Sequence, residues 1–182
     1  MPEAALARRI YGERKERGWS LADLADRSGV SKAALSKIER GETSPTATNL
    51  VKVASAFGLT FAGLLLRAER ATEAVSRRAQ QPTWADPESG YTRRQVFAAS
   101  DHPLEIAEVE LPPGARVAFP AASYARIRHV IWVQEGLLAL HEGDRVHRLE
   151  AGDCLGLGEP DDVTFSNETS RPCRYNVILT RI

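Results

Sequence analysis

The run Trp19–Gly41, WSLADLADRSGVSKAALSKIERG, constrains this chain more than any other stretch. Ser20 followed by Asp23 is a capping-box pattern, in which each side chain satisfies a free backbone N–H of the other at a helix start. Ala25 is small enough to let a second helix cross close by. Gly29 supplies the positive φ that a tight turn needs. Ser31 then caps a second helix, where Leu35 and Ile38, three apart, share one buried face. That helix turns Lys32, Ala33, Ser36 and Lys37 the other way. Here one short segment specifies two helices, the turn between them, and an apolar and a basic face.

Two short helices joined by a turn containing Gly form a helix-turn-helix, the motif whose second helix enters the DNA major groove. The resemblance goes further. Leu35-Ser36-Lys37-Ile38-Glu39-Arg40-Gly41, followed by Ser44-Pro45-Thr46, resemble the XRE/Cro-type phage-repressor family over about residues 6 to 66. The resemblance implies a five-helix lambda-repressor-like DNA-binding domain over residues 1–66, with Ser31, Lys32, Ala33, Ser36, Lys37 and Arg40 at the DNA. Ser31 is expected to cap the recognition helix and to touch a phosphate there, where the helix dipole favours an anion. Ala33 suits a thymine methyl. Glu39 ends the same helix, where a carboxylate opposes the dipole. It is therefore expected to brace the fold against Arg9 or Arg14 of the first helix.

The flanking sequence keeps helical periodicity. Leu6, Ile10 and Tyr11 set one face of a first helix that Gly18 ends. Ser44-Pro45-Thr46 starts a fourth helix, with Leu50, Val53, Ala54 and Phe57 at spacings of three and four, and Gly58 stops it. Thr60 caps a short fifth helix through Leu64 and Leu65. Residues 67–82 are charged and Ala-rich without a large apolar stripe, and read as a linker ending at Pro82.

The formal net charge of zero is a cancellation. Residues 1–82 hold 14 Lys and Arg against 9 Asp and Glu, and residues 83–182 hold 10 against 15. A basic front half suits a phosphate backbone; an acidic back half repels one and has another task. Two cysteines, Cys154 and Cys173, make no disulfide framework. With no apolar core near Met1 and no run long enough to span a membrane, the expectation is a cytoplasmic protein with reduced thiols and no membrane partner.

From residue 83 the period changes to two. Ile106, Val109 and Leu111 lead to Pro112-Pro113-Gly114. Short runs follow at Arg128–Gln134, Leu137–His141, Val146–Leu149, Cys154–Leu157, Val163–Ser166 and Arg174–Leu179, separated by turn residues. Many short strands at this spacing mean a β-sandwich or barrel. Pro112-Pro113-Gly114, Trp132-Val133-Gln134-Glu135-Gly136, Ala151-Gly152-Asp153 and Asn167 resemble the landmarks of a cupin over roughly residues 100 to 182, with residues 83–99 adding an entering strand or arm. The expected fold is α+β as two domains: the five-helix N-terminal domain and a C-terminal all-β cupin, a jelly-roll barrel, over residues 83–182.

Catalytic cupins hold a metal with two His and a Glu from a first motif and a His from a second. Carried onto this chain, those positions are Ala122 or Ser123, Tyr124 or Ala125, His129 and Val163. One imidazole cannot make a site that needs three convergent donors, so no metal, no cofactor and no catalytic residue is expected. His102, His141 and His147 read as solvated, and the cysteines as plain barrel residues. Strand alternation places His129, Val163, Phe165 and Asn167 toward the interior, with Tyr124 at its rim and Trp132 on the opposite face. Such a cavity is a small-molecule site by default; a barrel filled by its own side chains is the alternative.

Together these features predict a one-component regulator that binds double-stranded DNA at a palindromic operator as a homodimer, with the barrel sensing an unidentified effector, dimerising the chain, or both. Two other readings stay open. One is a metal-dependent oxygenase or epoxidase of the same helix-turn-helix–cupin architecture. The other is a DNA-binding protein whose barrel only dimerises.

Overall fold

A computed structural model describes residues 3–65, 75–98 and 102–181. The chain divides into two compact units, Met1–Leu66 and Arg67–Ile182.

The first unit contains α1 (Glu3–Glu16), α2 (Leu21–Ser28), α3 (Lys32–Glu39), α4 (Ala47–Ala56) and α5 (Phe61–Leu65). Local chemistry sets their ends. The Ser20 N–H donates to Asp23 Oδ2 (2.7 Å), and the Asp23 N–H donates to Ser20 Oγ (3.1 Å). Gly29, at φ 65°, closes α2 by donating its N–H to the Ala25 carbonyl. Ser31 Oγ accepts from the Ala34 N–H, Thr46 Oγ1 from Asn49 and Thr60 Oγ1 from Gly63. Helices this short are marginal alone and depend on a shared core. Leu6, Ile10, Leu24, Leu35, Ile38, Leu50, Val53 and Leu64 supply it, all buried. Tyr11 departs from expectation. It sits about 100° round the helix from Ile10, is 47 % exposed, and carries the Arg14 and Lys15 cations over its ring.

The second unit is all β: β1 (Thr83–Ala85), β2 (Thr92–Phe97), β3 (Leu104–Leu111), β4 (Arg116–Phe119), β5 (Ile127–Glu135), β6 (Leu137–Glu142), β7 (Arg145–Glu150), β8 (Cys154–Gly156), β9 (Val163–Ser166) and β10 (Cys173–Arg181). They form a six-stranded sheet, ordered β1-β2-β3-β10-β5-β8, and a four-stranded sheet, ordered β4-β9-β6-β7. All ladders are antiparallel. This is the jelly-roll of a cupin. The sheets meet through aromatic rings: Phe165 of β9 stacks on Tyr175 of β10 at 5.5 Å and takes the edge of Phe119 of β4 at 5.9 Å. β3 shows the alternation plainly, with Glu105, Ala107, Val109 and Leu111 buried and the residues between them half-exposed. Gly136 is required where β5 turns into β6. Its φ is 84°, and a Cβ there would lie 2.8 Å from the Pro172 carbonyl oxygen.

The part of the expected linker at residues 67–74 lies outside the described residues. Residues 75–82 belong to the barrel edge. Ser76 Oγ donates to the Val96 carbonyl (2.5 Å), and the Gln95 N–H donates to the Pro82 carbonyl (2.9 Å). Among the described residues no helix is long and apolar enough to cross a membrane.

Candidate nucleic-acid face and barrel interior

The outward face of α3 rests on a buried ion pair. Arg14 of α1 donates through Nε to Glu39 Oε1 (2.7 Å) and through Nη2 to Glu39 Oε2 (2.6 Å), while its Nη1 donates to the Trp19 carbonyl (2.8 Å). Both side chains are 6 % exposed. Of the two arginines the sequence offered, Arg14 is therefore the partner; Arg9 pairs with Glu13. A bidentate guanidinium–carboxylate pair fixes orientation as well as distance, so it sets how α3 sits on α1. Trp19, ahead of α2, is stacked on Phe57 and covered by the guanidinium of Arg27 at 4.4 Å.

Leu35 and Ile38 face the core, while Ser31, Lys32, Ala33 and Lys37 are exposed and Ser36 is half-buried. Arg40 follows at the C-cap of α3. Its guanidinium donates to Glu42 Oε1 (2.5 Å) and Oε2 (2.9 Å), and to the Ser36 hydroxyl. The hydrogen bonds from Arg40 hold the Glu42 carboxyl below the usual carboxylate range. Glu42 was not anticipated, because no periodic pattern marks a side chain that folds back two residues across a helix end.

The barrel brings together only part of the expected pocket. Tyr124, His129 and Val163 line a depression at the barrel mouth with Glu142, Leu157 and Asp161, of volume about 10 Å³. That is about the room one water molecule needs. The Tyr124 ring stacks on the His129 imidazole, 4.8 Å between centroids and 22° between planes. His129 is 7 % exposed, and burial, reinforced by the positive charge of Arg93 and opposed by Glu142, lowers its pKa to about 4. The imidazole is thus neutral near pH 7.

Phe165 and Asn167 do not join that depression. Phe165 faces inward like Val163, but two residues along a strand is about 7 Å, which puts it in the aromatic layer between the sheets. Asn167 lies beyond the end of β9 and is spent on its own loop. Its Nδ2 donates to the Leu111 and Arg171 carbonyls (2.9 and 2.8 Å), and its Oδ1 accepts from the Thr169 N–H and hydroxyl. Two further histidines are engaged rather than simply solvated. His102 Nδ1 accepts from the Leu104 N–H and its ring meets Phe97 edge-on; His147 Nε2 lies 3.3 Å from Glu142 Oε2. Cys154 is exposed, whereas Cys173 is buried and its thiol is pushed up to about 11 by burial and by Glu135.

Several buried polar residues escaped the sequence reading, three of them on β2 and β3. Arg93, Gln95 and Glu105 are 6 %, 2 % and 2 % exposed, on inward positions of β2 and β3. Arg93-Arg94-Gln95 reads as a solvated edge; only the alternation of β2 once folded separates Arg93 from Arg94. At the four positions where catalytic cupins carry metal donors, Tyr124 packs on His129 and Val163 is aliphatic. This donor set does not fit a metal. Among the described residues no three His, Cys, Asp or Glu side chains converge.

Comparison with known proteins follows the same division. A helix-turn-helix family model, HTH_3, matches residues 10–64. The HTH-type transcriptional regulator SutR of Escherichia coli (strain K12) is 44 % identical over 68 residues, 37 % of this chain and 38 % of that protein. The chain thus matches well under half the length of this curated relative. A crystal structure of an HTH_3 family transcriptional regulator from Vibrio cholerae superposes over 98 % of this chain and 96 % of its own, at a TM-score of 0.81 and 25 % identity. Hydroxypropylphosphonic acid epoxidase from S. wedmorenis shares the fold over 98 % of this chain and 97 % of its own, at a TM-score of 0.50 and 15 % identity. The chain therefore carries an XRE/Cro-type helix-turn-helix domain at its N-terminus, followed by a cupin barrel.

Proposed function

We propose that this chain is a DNA-binding transcriptional regulator that reads a palindromic operator as a homodimer. The observation that carries the reading is α3. It presents Lys32, Ala33 and Lys37 to solvent, and the buried Arg14–Glu39 pair fixes it from behind. Lysines on an exposed helix supply phosphate or base contacts, and the helix start at Ser31 offers free N–H groups to an anion. The relatives carry regulator names, and the basic half of the chain coincides with this domain.

The barrel supplies the dimer contact in this reading. On the outer face of its six-stranded sheet the registers set Phe97 beside Ile106, Ile106 beside Ile178, and Ile178 beside Val130. Trp132, 43 % exposed, lies in the next row beside Asn176. Ion pairs between Arg94 and Glu108 and between Arg174 and Glu110 border this apolar band. An exposed tryptophan next to aliphatic side chains and rimmed by charges has the anatomy of an interface centre. The oxygenase reading is weaker, because the four positions where such an enzyme carries its donors hold a single imidazole, His129, where three or more donors are needed.

Operator binding followed by fluorescence anisotropy over a salt series, with sedimentation of the free protein, tests this reading. A dimer that binds one duplex, with affinity falling steeply as salt rises, supports it. Absence of any preferred duplex contradicts it.

A further inference from the structure

The backbone fixes the turn that ends α3. The Gly41 N–H donates to the Ile38 carbonyl (3.0 Å) and the Glu42 N–H to the Lys37 carbonyl (2.9 Å), with Gly41 at φ 71°. These two bonds are the Schellman arrangement, which satisfies the last carbonyls of a helix and needs a residue that tolerates positive φ. The arrangement folds residue 42 back over the helix end, where its carboxylate meets the Arg40 guanidinium.

Arg40 continues the outward face of α3. Ser36 precedes it by four residues and Lys32 by eight, a spacing that sets the three in one row along the helix. Its Cα stands at the helix end, but its guanidinium reaches back one turn toward the helix start, to the Ser36 hydroxyl. Nε donates to Glu42 Oε1 (2.5 Å), Nη2 to Glu42 Oε2 (2.9 Å) and Nη1 to Ser36 Oγ. A guanidinium has five N–H groups. Three are engaged here, which leaves one on Nη1 and one on Nη2. The Arg40 and Glu42 side chains are 55 % and 50 % exposed, so the pair stands at the surface. Lys37 adds a further positive charge close to Glu42.

The carboxylate decides what this arginine can recognise. A phosphate brought to a guanidinium already held by Glu42 meets a like charge beside it. The edge of a guanine carries no net charge, and it presents O6 and N7 as two neighbouring acceptors in the major groove. A guanidinium tied to Glu42 and Ser36 also loses little rotamer freedom when it binds. We propose that Arg40 reads a guanine in each half-site of the operator, and that Glu42 is the residue that positions it. This inference rests on the regulator reading above and assigns one base contact within it.

The test uses the full chain and the operator that wild type selects from random DNA. Each guanine of that operator is replaced in turn, with its symmetry mate, by 7-deazaguanine, which lacks the N7 acceptor. Wild type, Arg40→Met and Glu42→Gln are titrated against every duplex by fluorescence anisotropy, each protein checked by thermal unfolding. At one guanine the replacement weakens wild type by about fivefold or more, within the range of a good base contact. Arg40→Met binds the operator and that replaced duplex alike. Glu42→Gln gains more on the replaced duplex than on the operator, so the ratio between them narrows by about threefold or more, the scale of a coupled pair. That variant carries the test if Arg40→Met does not fold. The proposal is overturned if Arg40→Met loses as much as wild type at every guanine, or if Glu42→Gln keeps the wild-type ratio. Wild type that selects no duplex overturns the regulator reading and this inference with it. Wild type that selects an operator whose guanines are indifferent to Arg40 overturns this inference alone.

Discussion

Arg14 and Glu39 join α1 to the end of α3 through two hydrogen bonds of 2.7 and 2.6 Å, in a setting where both side chains are 6 % exposed. Removing one partner leaves a buried charge uncompensated, which typically costs about 3–5 kcal/mol. Glu39→Ala is therefore expected to lower the unfolding free energy of the N-terminal domain by that order. Replacing both with apolar residues is expected to cost much less. A denaturant double-mutant cycle measures both, and additive single losses would show that the pair is not coupled.

Lys37→Ala is expected to weaken operator binding by about 1–3 kcal/mol if the ammonium makes a base contact. If it touches phosphate only, the loss is uniform across sequences and the salt slope falls by about one. Competition binding against operator variants distinguishes the two. Ser31→Ala is expected to cost about 0.5–2 kcal/mol of stability through its lost cap, and unchanged unfolding would remove the cap from the account.

Glu42 neutralises Arg40 at the edge of the same face. Glu42→Gln is expected to strengthen DNA binding and to steepen its salt dependence by about one counterion, because the guanidinium becomes available to a phosphate. Unchanged affinity and slope would place Arg40 away from the DNA.

The pKa of His129 in the folded chain, about 4, lies below the ordinary value of about 6.5. The unfolded chain therefore binds the proton more readily, and acid favours unfolding through this residue. Its effect is absent above about pH 6.5 and grows as pH falls toward 4, reaching at most about 3 kcal/mol. His129→Gln is expected to flatten the stability profile between pH 6.5 and 4. A profile as steep as that of wild type would contradict the burial of a neutral imidazole.

Trp132→Arg is expected to convert the dimer to monomer and to lower apparent operator affinity, because it sets a charge beside the apolar band of the outer sheet. Sedimentation velocity reads the change, and an unaltered distribution would move the dimer contact elsewhere.

The helical domain was legible because its decisive signals are local. Ser20 with Asp23, Gly29, Ser31 and Thr60 act within four residues, so spacing alone exposes them. The Arg14–Glu39 pair was half legible: the unfavourable dipole position of Glu39 called for a base, but only the packing of α1 chose Arg14 over Arg9. In the barrel, turn residues gave most strands, while β4, four residues just after Pro112-Pro113-Gly114, was missed. Alternation gives the face of a strand and not the depth along it, which is why Val163 reached the mouth and Phe165 and Asn167 did not. The burial of Arg93 and the neutrality that burial imposes on His129 belong to the folded chain and not to a residue pattern.

Selection of bound duplexes from a random DNA pool, with wild type and the Lys32→Ala, Lys37→Ala double variant side by side, tests the central claim most directly. The account predicts that wild type enriches a palindrome whose half-sites are about one helical turn apart, and that the double variant enriches none. Failure of wild type to enrich any sequence, or recovery of the same palindrome by the variant, would contradict it.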